Sequence, residues 1–151
     1  MSKIYEMAMD YMNKYPWTVA WRIRKHCEVV ERHLNPDEEP IYVFAGQKND
    51  SFADIFTTCV IVLTNKRILI GQKRVVWGYF LSSITPDLYN DMEVYEGLIW
   101  GKVTIDTIKE LVIITNLDKK SLPEIETNIS EYMMEAKKQY KTRDDVEDEK
   151  V

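Results

Sequence analysis

The chain has 151 residues, of which 45% are apolar and 30% charged, and carries a formal net charge of −5. That length fits one domain, large enough to bury roughly 68–70% of its unfolded-chain surface without a disulfide framework or metal. The apolar content excludes a disordered chain, and only 5 Gly and 5 Pro exclude a collagen-like or linker-like sequence.

In chain order, Ile4, Met7, Ala8, Tyr11, Met12 and Tyr15 fall on one face of a helix. Pro16 then reads as the first turn of a second helix. Its stripe is Trp17, Ala20, Ile23, Cys27, Val30 and Leu34, with Arg22, Arg24, Lys25, Glu28, Glu31 and Arg32 between. Asn35-Pro36 is a helix stop, followed by the acidic turn Asp37-Glu38-Glu39-Pro40.

From Ile41 the period changes. Seven runs rich in β-branched and aromatic residues predict seven strands: Ile41–Gln47, Ile55–Leu63, Arg67–Gln72, Val75–Leu81, Leu88–Glu96, Leu98–Thr107 and Glu110–Thr115. A short helical turn is expected within Phe80–Pro86. The connections Asn65-Lys66, Gln72-Lys73-Arg74 and Glu96-Gly97 suit tight hairpins, so neighbouring strands should be antiparallel. Ser121-Leu122-Pro123-Glu124 is a capping box opening a third helix, with Ile125, Ile129, Tyr132, Met133 and Ala136 on one face and Tyr140 extending it. A strand meander followed by one amphipathic helix predicts a partly open barrel whose open end the helix covers.

These residues also carry a resemblance. Val60–Ile70, with Leu63-Thr64-Asn65-Lys66-Arg67 at its turn, resembles the hairpin of bacterial PH-like domains, most closely the YokE-like family. Ala45-Gly46-Gln47, Phe80-Leu81-Ser82-Ser83-Ile84, the hairpin flanked by Gly97 and Gly101, Val103-Thr104-Ile105 and Leu122-Pro123-Glu124-Ile125 follow in the family's order, so the likeness covers about residues 36–140. It implies a mainly β fold, a PH-like seven-stranded antiparallel barrel capped by a C-terminal helix, and a non-enzymatic binding or assembly role. It transfers no catalytic, cofactor or metal residues. The expected division is an N-terminal helical extension over 1–35, the barrel with its helix over 36–140, and an acidic disordered tail over 141–151.

Charge narrows the partners. Residues 1–35 carry six Lys/Arg against four Asp/Glu, residues 36–120 nine against twelve, and residues 144–151 one against five. No concentrated basic face is visible, which argues against nucleic acid. The connection Lys48–Asp54 holds one Lys and two Asp, a poor receptor for an inositol phosphate. Lys66-Arg67 and Lys73-Arg74 flank one short strand and are the candidates for contact with an anionic membrane surface, the alternative reading.

No motif supports catalysis: the chain has no Gly-rich phosphate loop, no G-x-S-x-G elbow and no H-E-x-x-H. Asp87, Asp91 and Glu93 surround a strand entry where acids are common, and an enzyme with an unrecognised site is the second alternative. His26, Cys27 and His33 share a helix at the wrong spacing for zinc, and Cys27 belongs to the apolar stripe. The N-terminus lacks a secretory signal, no apolar run approaches the ~20 residues of a membrane span, and two thiols make no disulfide framework. The expected location is therefore cytoplasmic.

The N-terminal stripes either pack on their own barrel or stay available to a protein partner or a second copy. Trp17 and Trp21, four apart, with Arg24 beyond and Tyr11 on the preceding helix, are the candidate partner-binding residues. The expected function is protein–protein binding or homo-oligomeric assembly, with no cofactor.

Overall fold

The computed structural model describes residues 2–48, 57–75 and 77–149, with backbone alone over 140–149. Helix α1 spans Lys3–Lys14. Ser2 caps it by accepting the Tyr5 N–H at 3.1 Å, and Ile4, Ala8 and Tyr11 are buried along its inner face.

The second helix, α2, spans Ile23–His33 and does not begin at Pro16. The backbone between the helices makes other bonds. Trp17 N–H donates to Asp118 Oδ2 (3.3 Å), Val19 N–H to the Asn116 carbonyl (2.9 Å) and Trp21 N–H to Thr58 Oγ1 (3.4 Å). Groups committed to distant acceptors cannot build a helical turn. Pro16 therefore follows the end of α1, and Arg22, at φ 56°, turns the chain into α2.

Seven strands follow as a meander: β1 Pro40–Lys48, β2 Thr58–Thr64, β3 Ile68–Lys73, β4 Tyr79–Ile84, β5 Tyr89–Glu96, β6 Trp100–Thr107 and β7 Leu111–Asp118. All pairings are antiparallel, in the order β4-β3-β2-β1-β7-β6-β5, and the sheet curls into a half-barrel. The helical turn expected within Phe80–Pro86 is strand β4, held by register with β3 from Lys73↔Tyr79 to Ile68↔Ile84; the chain turns only at Thr85–Leu88. Residues 55 and 56 of the expected second strand, and Val76, lie outside the described residues. After one 3-10 turn at Lys119–Ser121, α3 runs from Leu122 to Glu149. Its backbone is helical across most of the segment expected to be a disordered tail, which holds no Pro or Gly to stop it.

Two apolar layers share the sheet. On the inner face, Phe44, Ile61, Leu63, Ile68, Ile70, Ile105 and Ile114 pack with Leu122, Ile125, Ile129 and Met133 of α3. On the outer face, Ile4 and Ala8 of α1 and Ile23, Cys27 and Val30 of α2 cover Val43, Ala45, Val60, Val62 and Leu69. Every residue of β2 is therefore buried, which is why its sequence reads as a continuous apolar run. Strand β6, covered on one face, keeps the alternation of a half-buried strand.

Candidate interaction surface

Residues 15–22, the connection between α1 and α2, run from the end of β7 to the start of β2 and the end of β3 and organise the surface there. At their start, Thr18 Oγ1 accepts Asp118 N–H (3.0 Å) and lies 3.2 Å from Tyr11 Oη, which donates to Ser121 Oγ (3.0 Å). Asp118 is buried and accepts Trp17 N–H and Lys120 N–H. Asn116 stands at φ 56°, a left-handed conformation that Asn tolerates, and its carbonyl takes Val19 N–H.

At the far end, the connection is tied to β2 and β3. Lys73 N–H donates to His26 Nδ1 at 2.8 Å, so the His26 Nε2–H faces Thr58 Oγ1 at 3.0 Å, and Thr58 Oγ1 donates to the Trp21 carbonyl at 2.9 Å. Burial, then the nearby Arg22 charge, lowers His26 to about 4, so this relay is built on a neutral imidazole. Arg22 donates to the Lys73 carbonyl at 3.2 Å.

All four tryptophans of the chain emerge around this connection or the hairpins beside it. Trp17 is 67% exposed, Trp21 37%, Trp77 78% and Trp100 37%. Trp100 Nε1–H donates to the Trp17 carbonyl at 2.9 Å, which fixes the β5–β6 hairpin against the connection. At that hairpin's tip Leu98 is 92% exposed. Trp17, Leu98, Ile99, Asp118, Lys119 and Lys120 line a groove of about 450 Å³. Trp77 stands at the β3–β4 hairpin with exposed Val75 and Arg74, beyond the Arg22–Lys73 bond. Trp17 and Arg22 are five residues apart, at most about 18 Å between their Cα atoms, and the two Trp-bearing hairpins, which lie at opposite ends of their strands, are bonded to the two ends of this connection.

Trp17, Trp21 and Arg24 are exposed, but they do not share a helical face, because Trp17 and Trp21 precede α2. Arg24 is on α2, its guanidinium 5.0 Å from the Tyr5 ring. Tyr11 is not available to a partner. Its side chain is buried in the inner core, and desolvation pushes its hydroxyl up to about 12. Trp77, Trp100, Leu98 and Ile99 were missed as site residues because their apolar character made them read as strand interior. The structure starts β4 and β6 later and leaves them at the tips or edges of hairpins.

The four basic candidates do not form one patch. Lys66 and Arg67 precede β3 and Lys73 and Arg74 sit at its other end, about 20 Å away along the strand. Lys66 pairs with Asp37 at 2.6 Å. Arg67 forks onto buried Glu38 with two bonds of 2.9 Å and also donates to Ser83 Oγ and the His33 carbonyl. Burial would raise the Glu38 carboxyl, but bonds from Arg67, Thr64 and the Asn35 backbone outweigh it and hold it at about 2. A polar hollow of about 510 Å³ beside this pair is lined by Asn35, Lys66, Arg67 and Tyr132, its cations already committed to Asp37 and Glu38.

His26, Cys27 and His33 do not converge. His26 is held by Thr58 and Lys73, Cys27 is buried in the outer layer, and His33 bonds the Val29 carbonyl and Tyr79 Oη. Among the described residues no three His, Cys, Asp or Glu side chains group as metal ligands. Asp87, Asp91 and Glu93 are exposed around β5. No described helix is long and apolar enough to cross a membrane.

Residues 34–131 match the bacterial PH domain family. The chain belongs to the bacterial PH domains. A solved pleckstrin homology domain from Shewanella amazonensis SB2B is similar over 73% of this chain and 86% of that chain, at 14% identity and a TM-score of 0.48. No curated protein sequence matches. In this bacterial PH domain the matched region begins after α2, so it contains Trp77, Leu98 and Trp100 but not Trp17 or Trp21. The candidate surface is thus assembled from the PH domain's own hairpins and from a connection of the N-terminal extension that is bonded to both.

Proposed function

We propose that this bacterial PH domain is a non-enzymatic, cytoplasmic protein-interaction module of the YokE-like group that associates with copies of itself through its exposed tryptophans. The observation that carries the reading is the exposure of all four tryptophans of a well-packed barrel, two on the α1–α2 connection and two on the hairpins bonded to its two ends. Trp is highly buried on average in folded monomers, and exposed Trp anchors dominate the energetics of protein interfaces. Two of the four hold rigid positions through backbone bonds, Trp17 to Asp118 and Trp21 to Thr58, so little ordering cost remains for binding. Cys27 and Cys59, both buried free thiols, fit a reducing compartment.

Sedimentation velocity over a concentration range tests this. The full chain should sediment above its 17.9 kDa monomer mass. Trp21→Asp and Trp77→Ser should return it toward monomer with the unfolding midpoint retained. A wild-type chain that stays monomeric at high concentration would contradict the reading.

A second reading is supported by the placement of Lys73 and Arg74 next to Trp77 and of Lys119 and Lys120 next to Leu98. Aromatic and basic residues together suit an anionic membrane surface. Flotation with phosphatidylserine-containing and pure phosphatidylcholine vesicles separates the two. Salt-sensitive flotation with the anionic vesicles alone, lost on Arg74→Glu with Lys120→Glu, would favour the membrane.

A further inference from the structure

The β5–β6 hairpin carries an apolar tip that its own turn does not need. Gly97 N–H donates to the Trp100 carbonyl at 2.9 Å and Glu96 pairs with Gly101, so Leu98 and Ile99 are the two residues of the turn. Two-residue hairpin turns are dominated by Asn, Asp and Gly, which suit the backbone and are at ease in water. Here both positions are aliphatic, and Leu98 is the most exposed large apolar side chain among the described residues. The tip is also held in place. Lys119 Nζ donates to the Leu98 carbonyl at 3.0 Å, and the Trp100 indole N–H to the Trp17 carbonyl at 2.9 Å. An apolar group already ordered in water gains free energy when a partner covers it, with little ordering cost left to offset the gain.

The surroundings of the tip define that partner. The groove of about 450 Å³ beside Trp17 opens on the same hairpin, with Leu98 and Ile99 in its wall. One short segment therefore presents both a projecting apolar side chain and an apolar hollow. Its rim carries both signs of charge. Glu96 is exposed and only 4.0 Å from Lys119, too far for a hydrogen bond. Lys120 is exposed, and its ammonium makes no ion pair among the described residues. Asp118, the other acid, is buried and accepts the Trp17 and Lys120 N–H groups. A fitting partner offers an apolar knob, an apolar hollow, a base for Glu96 and an acid for Lys120. An anionic membrane offers no base. A second copy of the hairpin offers all four, and a two-fold contact uses each of them twice.

We infer that two copies of this chain meet about a two-fold axis at the β5–β6 hairpin, Leu98 of each in the groove beside Trp17 of the other and Glu96 of each against Lys120 of the other. The contact rests on the self-association proposed above and supplies one surface for it. It falls well short of the roughly 20–30 residues a side of a standard interface, so the dimer is weak and concentration-dependent.

Sedimentation velocity of the full chain over a concentration range tests this. Leu98→Asp puts at the tip a residue that turns favour, so the unfolding midpoint should be kept while association weakens at least tenfold. Glu96→Lys and Lys120→Glu should each weaken it severalfold, because like charges then face each other twice across the axis. An equimolar mixture of those two variants, and the double variant Glu96→Lys with Lys120→Glu, should recover wild-type association, every pair across the axis again being opposite in sign. A wild-type chain that stays monomeric overturns both this inference and the self-association it rests on. Association that survives Leu98→Asp, or charge variants that do not rescue one another, overturns the hairpin contact alone. A wild-type chain that stays monomeric yet floats with phosphatidylserine vesicles, and loses this on Leu98→Asp, overturns it in favour of a membrane.

Discussion

Arg67 and His26 show how single polar residues hold this molecule together. Glu38 is a carboxylate without solvent contact, and the Arg67 fork offsets its desolvation with charge-assisted bonds. Arg67→Ala would leave that charge buried and unpaired, at a cost of about 3–5 kcal/mol. Lys66→Ala, which removes an exposed ion pair with Asp37, should barely move the urea midpoint. Equal midpoints for the two variants would contradict this ranking. His26 is neutral when folded, with its value lowered to about 4 from 6.5 by burial and then by Arg22. Between those values the unfolded chain binds more protons, so stability is full above about pH 6.5 and falls as pH drops toward 4. The loss is on the order of 3 kcal/mol. Glu38 contributes in the same sense at lower pH, from its ordinary 4.5 down toward about 2. In a comparison of unfolding midpoints against pH, His26→Gln should flatten the upper stage and keep the lower one.

At the scale of elements, the outer layer depends on α2 lying directly on β3. Gly71 permits that approach: a methyl group there would stand 2.5 Å from Val30 Cγ2 and 3.2 Å from the His26 carbonyl oxygen. Gly71→Ala should therefore destabilise the fold by roughly 1–3 kcal/mol through overpacking, although Ala normally suits a strand better than Gly. Since Lys73 N–H bonds His26 and Thr58 bonds Trp21, a displaced α2 should also loosen the connection, seen as faster hydrogen exchange at Val19 and Trp21. Unchanged stability and exchange would show that the layer can absorb the methyl group. The strands and α3 were legible in the sequence because period-2 alternation, hairpin residues and the capping box act locally. Whether α1 and α2 pack on their own barrel was open in the sequence; the structure decides it, with their apolar stripes on the outer face and every residue of β2 buried. The start of α2 was not. Pro16 and the alternating threes and fours fit a helix, while the bonds that hold residues 16–22 out of a helix come from Asn116, Asp118 and Thr58, far away in the chain.

At the scale of the whole molecule, Trp17 and Trp21 marked part of the candidate surface, but the sequence placed them on a helix with Arg24 and Tyr11. Trp77 and Trp100 were hidden among residues that also suit strand interiors; only the register of β4 and β6 puts them at hairpins. The two basic pairs looked alike in sequence, and the fold separates them: Arg67 turns inward to Glu38, and Arg74 stays outside beside Trp77. The central claim is that the exposed tryptophans are where this domain meets its partner. A dilution series followed by two-dimensional NMR of the full chain tests it most directly. The four indole N–H signals, and the amides of Arg74, Leu98 and Lys120, should shift or broaden with concentration, while amides at the β2–β3 hairpin around Lys66 stay fixed. Concentration-independent indole signals, or shifts centred on that hairpin, would contradict it.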